Sequence, residues 1–368
     1  MSGSKDGGRL DPREMSRRRM LRNAGVLGVG IPALTGLLNA CSDDGGNSGS
    51  GGGGGPYPDH DKYKFTLVNH VTTNSFFTPT RYGADDACEI LGCSYSWSGS
   101  ENSIVSEMVN AMNSAVTAKS AGIGVPVIDK TAFTGPTQDA LAAGIPVVSY
   151  NANPPVGSRT PVMSYIGQDL TRAGVEAGRR ILQQVNPGDT VACMIATPGT
   201  GNIQPRADGA KSVLEPAGVK FVQVATGAIE TKELSAVDSW FQGHKDAKFL
   251  YAVDSGSGIA VAKTVEKYKS TGVKGSGWDV GTPTLEQVKS GNLDFTIDQQ
   301  AYLQGFLSIL QLFLYQVSGG LVAPVDTNTG LKFVTSDNVG PYLATKNRFE
   351  GSSQKKSTLS APASIQAS

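Results

Sequence analysis

From Lys62 onward the chain alternates short β-branched and apolar runs with stretches of helical periodicity, and partway along the alternation begins again. Strands are read at Tyr63–Asn69, Ser94–Trp97, Pro126–Asp129 and Ile145–Tyr150, with helices at Pro79–Leu91, Ser103–Ala118 and Pro136–Ala143 between them. In Ser103–Ala118 the residues Ile104, Met108, Ala111, Met112 and Ala115 fall on one helical face. The second set opens with a helix at Leu170–Val185 and continues with strands at Asp189–Ala196, Lys220–Val224 and Phe249–Val253. Helices at Ile203–Glu215, Glu233–Gln242 and Ser257–Ser270 separate and follow those strands. Strand, helix, strand in that order predicts parallel pairing through crossover helices that cover both faces of a sheet. The chain is therefore read as α/β with two lobes. Its 368 residues exceed one simple core and suffice for two.

Open α/β sheets bind ligands beyond the carboxyl ends of their strands, so the residues that follow each strand carry the functional information. The first strand leads into Asn74, Phe76 and Phe77; Asn151 follows Tyr150, and Arg206 opens a helix. Asp254 ends the run Phe249–Val253, Asp279 closes Gly277-Trp278-Asp279, and Gln299 lies in Thr296-Ile297-Asp298-Gln299-Gln300. Amides, carboxylates, an arginine and flat aromatic rings facing one cleft suit a polyhydroxylated ligand. Planar polar groups hold hydroxyls in pairs, and rings cover the apolar C–H face of a sugar. Plainer readings stand beside these. Asp254 and Asp279 can cap helices, Arg206 can cap or pair on the surface, and Trp97 and Trp278 can be packing residues. Phe76 and Phe77 cannot share one face, so at least one is expected to meet the cleft.

Several of these positions, in order, carry a resemblance. Asn74-Ser75-Phe76-Phe77 follows the pattern Asn-x-Phe-Phe, and Gly144-Ile145-Pro146-Val147-Val148 follows Gly-Ile-Pro-Val. Arg206 with Gly209 gives Arg-x-x-Gly, Asp279 ends a Gly-aromatic-Asp run, and Gln299 closes Phe295-Thr296-Ile297-Asp298-Gln299. From about Lys62 to Tyr342 the chain thus resembles the periplasmic sugar-binding proteins of the ribose- and galactose-binding type, the substrate-binding components of ABC transporters. The resemblance implies two Rossmann-like lobes joined by a three-stranded hinge, the type I periplasmic binding protein fold. It also implies ligand contacts at Asn74, Phe76, Phe77, Asn151, Arg206, Asp254, Asp279 and Gln299. One departure is legible. Where ribose binders have Asp-Arg, this chain has Asn151-Ala152, which removes a five-donor fork and argues against ribose. The stretch from Gln299 to Gly305 and on to Leu314-Tyr315 is similar to a subgroup that takes varied sugars and polyols.

The N-terminus reads as an address. Ser16-Arg17-Arg18-Arg19-Met20-Leu21-Arg22 resembles the twin-arginine export motif, and Ala24–Leu38 is an uncharged apolar stretch too short to span a membrane. Leu38-Asn39-Ala40-Cys41 resembles a lipobox, which implies lipidation at Cys41. Ser42–Pro58 is nearly all Gly, Ser, Asp, Asn and Pro, a composition that buries nothing and behaves as a tether. Met15 lies just before the motif and is a candidate start beside Met1. The expected organisation is a signal peptide at 1–41, a flexible linker at 42–61 and a polar tail at 346–368. The N-terminal lobe is expected at 62–165 with 300–324, and the C-terminal lobe at 166–299 with 325–345. Crossings are expected near Ile166, Gln299 and Pro324.

The remaining expectations are exclusions. Thirty-two basic residues balance thirty-two acidic ones, so no basic excess exists to hold a nucleic acid. The three histidines and four cysteines show no metal-ligand spacing, and the cleft candidates contain no nucleophile–base pair. Neither a metal nor another cofactor is expected, and the chain is not read as an enzyme. Cys88 and Cys93 have a spacing that permits a local disulfide without demanding one; Cys193 lies in an apolar run. The function implied is that of an exported, lipid-anchored monomer that captures a monosaccharide or polyol and delivers it to an ABC permease. A sensor presenting its ligand to a chemotaxis or signalling receptor is the alternative.

Overall fold

The expected alternation is the observed one. The computed structural model describes residues 59–345 and 348–351. The expected signal peptide with Cys41, most of the linker and most of the tail lie outside them. The first set comprises β1 (Lys64–Asn69), α1 (Thr78–Leu91), β2 (Ser94–Gly99), α2 (Val105–Thr117), β3 (Ile123–Val125), α3 (Thr134–Ala142), β4 (Val147–Tyr150) and β5 (Tyr165–Gly167). The second comprises α4 (Leu170–Leu182), β6 (Thr190–Ile195), α5 (Gln204–Leu214), β7 (Lys220–Ala225), α6 (Glu230–Gly243), β8 (Phe249–Ala252), α7 (Ser255–Lys267), β9 (Lys274–Ser276), α8 (Thr282–Ser290) and β10 (Thr296–Asp298). The chain then returns through α9 (Ala301–Val317), β11 (Thr327–Asn328), β12 (Lys332–Val334) and α10 (Gly340–Thr345).

Two parallel sheets result. The first has the order β11-β5-β4-β3-β1-β2 and the second β7-β6-β8-β9, while β10 and β12 form a separate antiparallel pair. Side chains of β6 show why both faces must be covered. Val191, Cys193 and Ile195 enter one core with Ala177, Ala207 and Leu214 of α4 and α5. Ala192 and Met194, on the opposite face, enter a second core with Val237 and Phe241 of α6. In the first sheet Phe65 and Leu67 of β1 pack with Ile309 and Leu312 of α9, whereas Val68 packs with Met108 and Met112 of α2. A strand buried on both faces reads as a continuous apolar run, which is why these strands were legible.

One strand is displaced from its expected place. The run Pro126–Asp129 is not a strand; β3 occupies Ile123–Val125 instead. Pro126 has no N–H to give a ladder, and Asp129 accepts from the backbone N–H groups of Thr131 and Ala132 at 2.8 Å each, which builds a turn.

The chain passes between the sheets three times: after β5, after β10 and after β11. Because β11 pairs with β5, the third passage lies at 329–331, a few residues beyond Pro324. The passages are tied together. Gln168 donates to the carbonyl of Gly330 at 2.9 Å, and the Thr329 hydroxyl donates to the carbonyl of Gln299 at 2.8 Å.

Candidate functional site

All eight residues named from the sequence line one cleft between the ends of the two sheets, about 590 Å³ including its open mouth. Asn74 caps the single turn Ser75–Phe77: its Oδ1 accepts from the Phe76 N–H at 2.9 Å, so its amide NH₂ is the group left to donate. Phe77 is buried against Trp97, while Phe76 is half-buried and meets Phe77 edge-on at 4.6 Å. Both rings line the cleft, Phe77 from within the core and Phe76 half-exposed.

Arg206 lies in the first turn of α5 and is 3% exposed. The motif's Gly209 explains how it gets there. A Cβ at Gly209 would overlap the carbonyl of Thr171 on α4, so glycine lets the two helices close together and seats Arg206 deep in the lobe. Its Nη1 donates to the carbonyl of Val253 at 2.7 Å, and its guanidinium lies over Trp278, 4.4 Å from the ring centroid. Trp278 is fully buried and supports the arginine from behind; it is a packing residue. Among the described residues, Nε of Arg206 has no hydrogen-bond partner.

Asn151, Gln299 and Asp279 form a chain that runs from the first sheet's end to the second's. Gln299 Nε2 donates to Asp279 Oδ1 at 2.6 Å, and Asn151 Nδ2 approaches Gln299 Oε1 at 3.5 Å and Gln304 Oε1 at 3.3 Å. Burial pushes the Asp279 carboxyl up to about 7, against the pull of Arg206 and the Gln299 bond. Asn151 (φ 62°), Asp279 (φ 73°) and Gln300 (φ 57°) all hold left-handed backbone. That conformation costs of order 1 kcal/mol for a residue with a side chain and concentrates at functional sites. Ala152, by contrast, is fully buried in the core behind the cleft, so the departure from Asp-Arg leaves no cation at that place.

Asp254 lines the cleft and also caps α7. Oδ1 accepts from the Ser257 N–H at 2.9 Å, and Oδ2 accepts from the Ala196 N–H at 2.9 Å and the Ser257 hydroxyl at 3.1 Å. Burial raises its pKa.

The lining residues absent from the expected set include His70, Asn202 and Glu233. His70 and Asn202 follow β1 and β6, where the strand-end rule would have found them. Glu233 belongs to α6, which begins at Glu230 rather than at Glu233, and lies three residues past the helix start, where the strand-end rule gives no signal. Gln304 on α9 is fully buried beneath Gln299. Elsewhere, Trp97 donates its indole N–H to the carbonyl of Thr72 at 3.1 Å and does not line the cleft. Cys193 is a core residue, and Cys88 and Cys93 are free thiols, the Cys93 N–H donating to the carbonyl of Cys88 at 3.0 Å.

Residues 65–319 match the family described as periplasmic binding protein domain. Over 309 residues the chain is 47% identical to the xylose/arabinose-binding protein XylF of Sulfolobus acidocaldarius, covering 80% of this chain and 76% of that protein. The chain belongs to the periplasmic binding protein family. Solved structures share the periplasmic binding protein fold. One is an ABC transporter solute-binding protein from Burkholderia graminis in complex with D-arabinose. It has a TM-score of 0.71 and 24% identity, over 77% of this chain and 99% of that one. Another is a carbohydrate transporter from Acidothermus cellulolyticus in complex with myo-inositol. Its TM-score is 0.70 and its identity 23%, over 80% and 100% of the two chains. Periplasmic binding proteins are solute-binding proteins rather than enzymes and work outside the cytoplasm. Among the described residues, no helix of this periplasmic binding protein is long and apolar enough to cross a membrane.

Proposed function

We propose that this protein captures a neutral monosaccharide, a pentose foremost, or a polyol, and delivers it to an ABC-type importer without chemically changing it. One observation carries the reading. Amide, carboxylate, guanidinium and phenyl groups from the ends of both sheets face a single cleft, and Gln299, at a passage between the lobes, hydrogen bonds toward both sides. The first lobe supplies Asn74, Phe76, Phe77 and Asn151, and the second supplies Arg206, Asp254 and Asp279. Sugar held by one set recruits the other, and contacts made only in the closed form drive closure about the three passages. The resemblance of the relative named for xylose and arabinose supports pentoses, and Ala152 in place of a cleft arginine supports a ligand other than ribose.

The same proposal covers the segments outside the described residues. Twin-arginine export followed by lipidation at Cys41 would hold a monomeric receptor beside its permease, with residues 42–61 as the tether. A thermal-shift screen over pentoses, hexoses and polyols tests the binding reading, since a ligand well above its Kd stabilises the native state by mass action. A rise in Tm with at least one pentose or polyol is expected; no rise with any of them contradicts it.

A further inference from the structure

We propose that Glu233 is a ligand contact and specificity determinant of the cleft, its carboxyl presented to a sugar hydroxyl over the bare backbone of Gly256. The inference rests on the sugar-binding reading and deepens it.

Glu233 stands in the first turns of α6 and is 3% exposed, yet its Oε2 has no hydrogen-bond partner among the described residues. A glutamate buried for structural reasons is paired with a cation or held by several donors. Here the charged groups nearest in effect are Asp254 and Glu230, both acidic. Leaving a buried carboxyl oxygen without a partner is costly, and this one lies on the wall of the cleft.

A second element is shaped to receive it. A Cβ built on Gly256, in the first turn of α7, would overlap Oε2 of Glu233. Any other residue at 256 would occupy the place of the carboxyl, so two separate helices cooperate to keep the group at the cleft. Its neighbour Asp254 is already engaged by three protein donors, the Ser257 N–H and hydroxyl and the Ala196 N–H. Of these two neighbouring acids, Glu233 is therefore the one with an uncommitted oxygen. Burial and the proximity of Asp254 push its carboxyl up to about 9, so at neutral pH it is protonated and can donate as well as accept. A hydroxyl group needs that pairing, and a carboxylate ligand has little use for it.

The test is calorimetric titration of the protein with the sugar that the wild type binds best and with its monodeoxy analogues. Glu233→Met keeps the length of the side chain and loses its hydrogen bonding, whereas Glu233→Gln keeps a donor and an acceptor. Glu233→Met is expected to weaken the parent sugar roughly tenfold, and that loss should vanish for one analogue, the one lacking the contacted hydroxyl. Glu233→Gln should stay within about threefold of wild type. The inference is overturned if Glu233→Met binds every sugar as the wild type does, or loses the same factor for all of them. If the wild type itself binds no sugar, the failure lies with the sugar-binding reading, a result distinguishable from the others.

Discussion

Nδ2 of Asn202 lies 3.1 Å from Nε2 of His70, joining the loop after β6 to the loop after β1 across the cleft. The amide donates, so the imidazole accepts at Nε2 and carries its proton on Nδ1. Beside this pair the Gly201 N–H donates to the carbonyl of Ile128 at 3.0 Å, a second bond between the lobes. Both hold the two lobes together across the cleft. A buried neutral hydrogen bond contributes about 1 kcal/mol net, so Asn202→Ala is expected to shift the closing equilibrium about fivefold toward open. Small-angle scattering should show a larger radius of gyration for the variant, with sugar affinity reduced by a similar factor. An unchanged radius and affinity would remove this pair from the closing mechanism.

His70 makes the same contact sensitive to acid. Burial, helped by Arg206, lowers its pKa from 6.5 to about 3. The unfolded chain therefore takes up the proton first as pH falls, and His70's contribution, present in full above pH 6.5, is lost between there and about 3. Asp279 and Glu233 act in the opposite sense. Their folded values are raised to about 7 and about 9, so their contributions are lost as pH rises through those values. Because the windows overlap, the comparison with His70→Asn isolates the histidine. In denaturant unfolding at pH 6.5 and pH 4, wild type is expected to lose up to about 3 kcal/mol more than the variant. Parallel curves would show that His70 titrates normally.

Arg206 cannot be replaced by lysine without loss. Its guanidinium is held flat over Trp278 while Nη1 binds the Val253 carbonyl, a geometry that a single ammonium cannot reproduce. Arg206→Lys is expected to fold and to bind its sugar roughly 10- to 100-fold more weakly, the range for a charge-assisted bond. Calorimetry alongside circular dichroism checks both parts.

The export and lipidation proposed for the N-terminus make a separate prediction. Cys41→Ser should release the protein from the membrane fraction without altering sugar affinity, and replacing Arg17 and Arg18 by lysine should block export. Fractionation of expressing cells, read by immunoblot, tests both.

The strand-end rule made much of the cleft legible in the sequence. Asn74, Arg206, Asp279 and Gln299 each follow a strand or open the next helix, and there the fold gathers them. What escaped has physical reasons. Glu233 reaches the cleft from within α6, where its helical spacing resembles that of any surface acid, and only the close approach to Gly256 reveals where it goes. Gln304 becomes part of the site through Gln299 and Asn151, contacts set by tertiary packing. The shift of β3 to Ile123–Val125 turned on the missing N–H of Pro126, a local signal present in the sequence but outweighed there by the apolar pattern.

The central claim is that residues of both lobes grip one neutral sugar. Its most direct test is isothermal titration of the protein with D-xylose, L-arabinose and a panel of other pentoses, hexoses and polyols. The account predicts saturable binding of one sugar per chain for at least one pentose or polyol, weakened both by Asn74→Ala on the first lobe and by Arg206→Lys on the second. Absence of binding across the panel, or binding unaffected by either substitution, would contradict it.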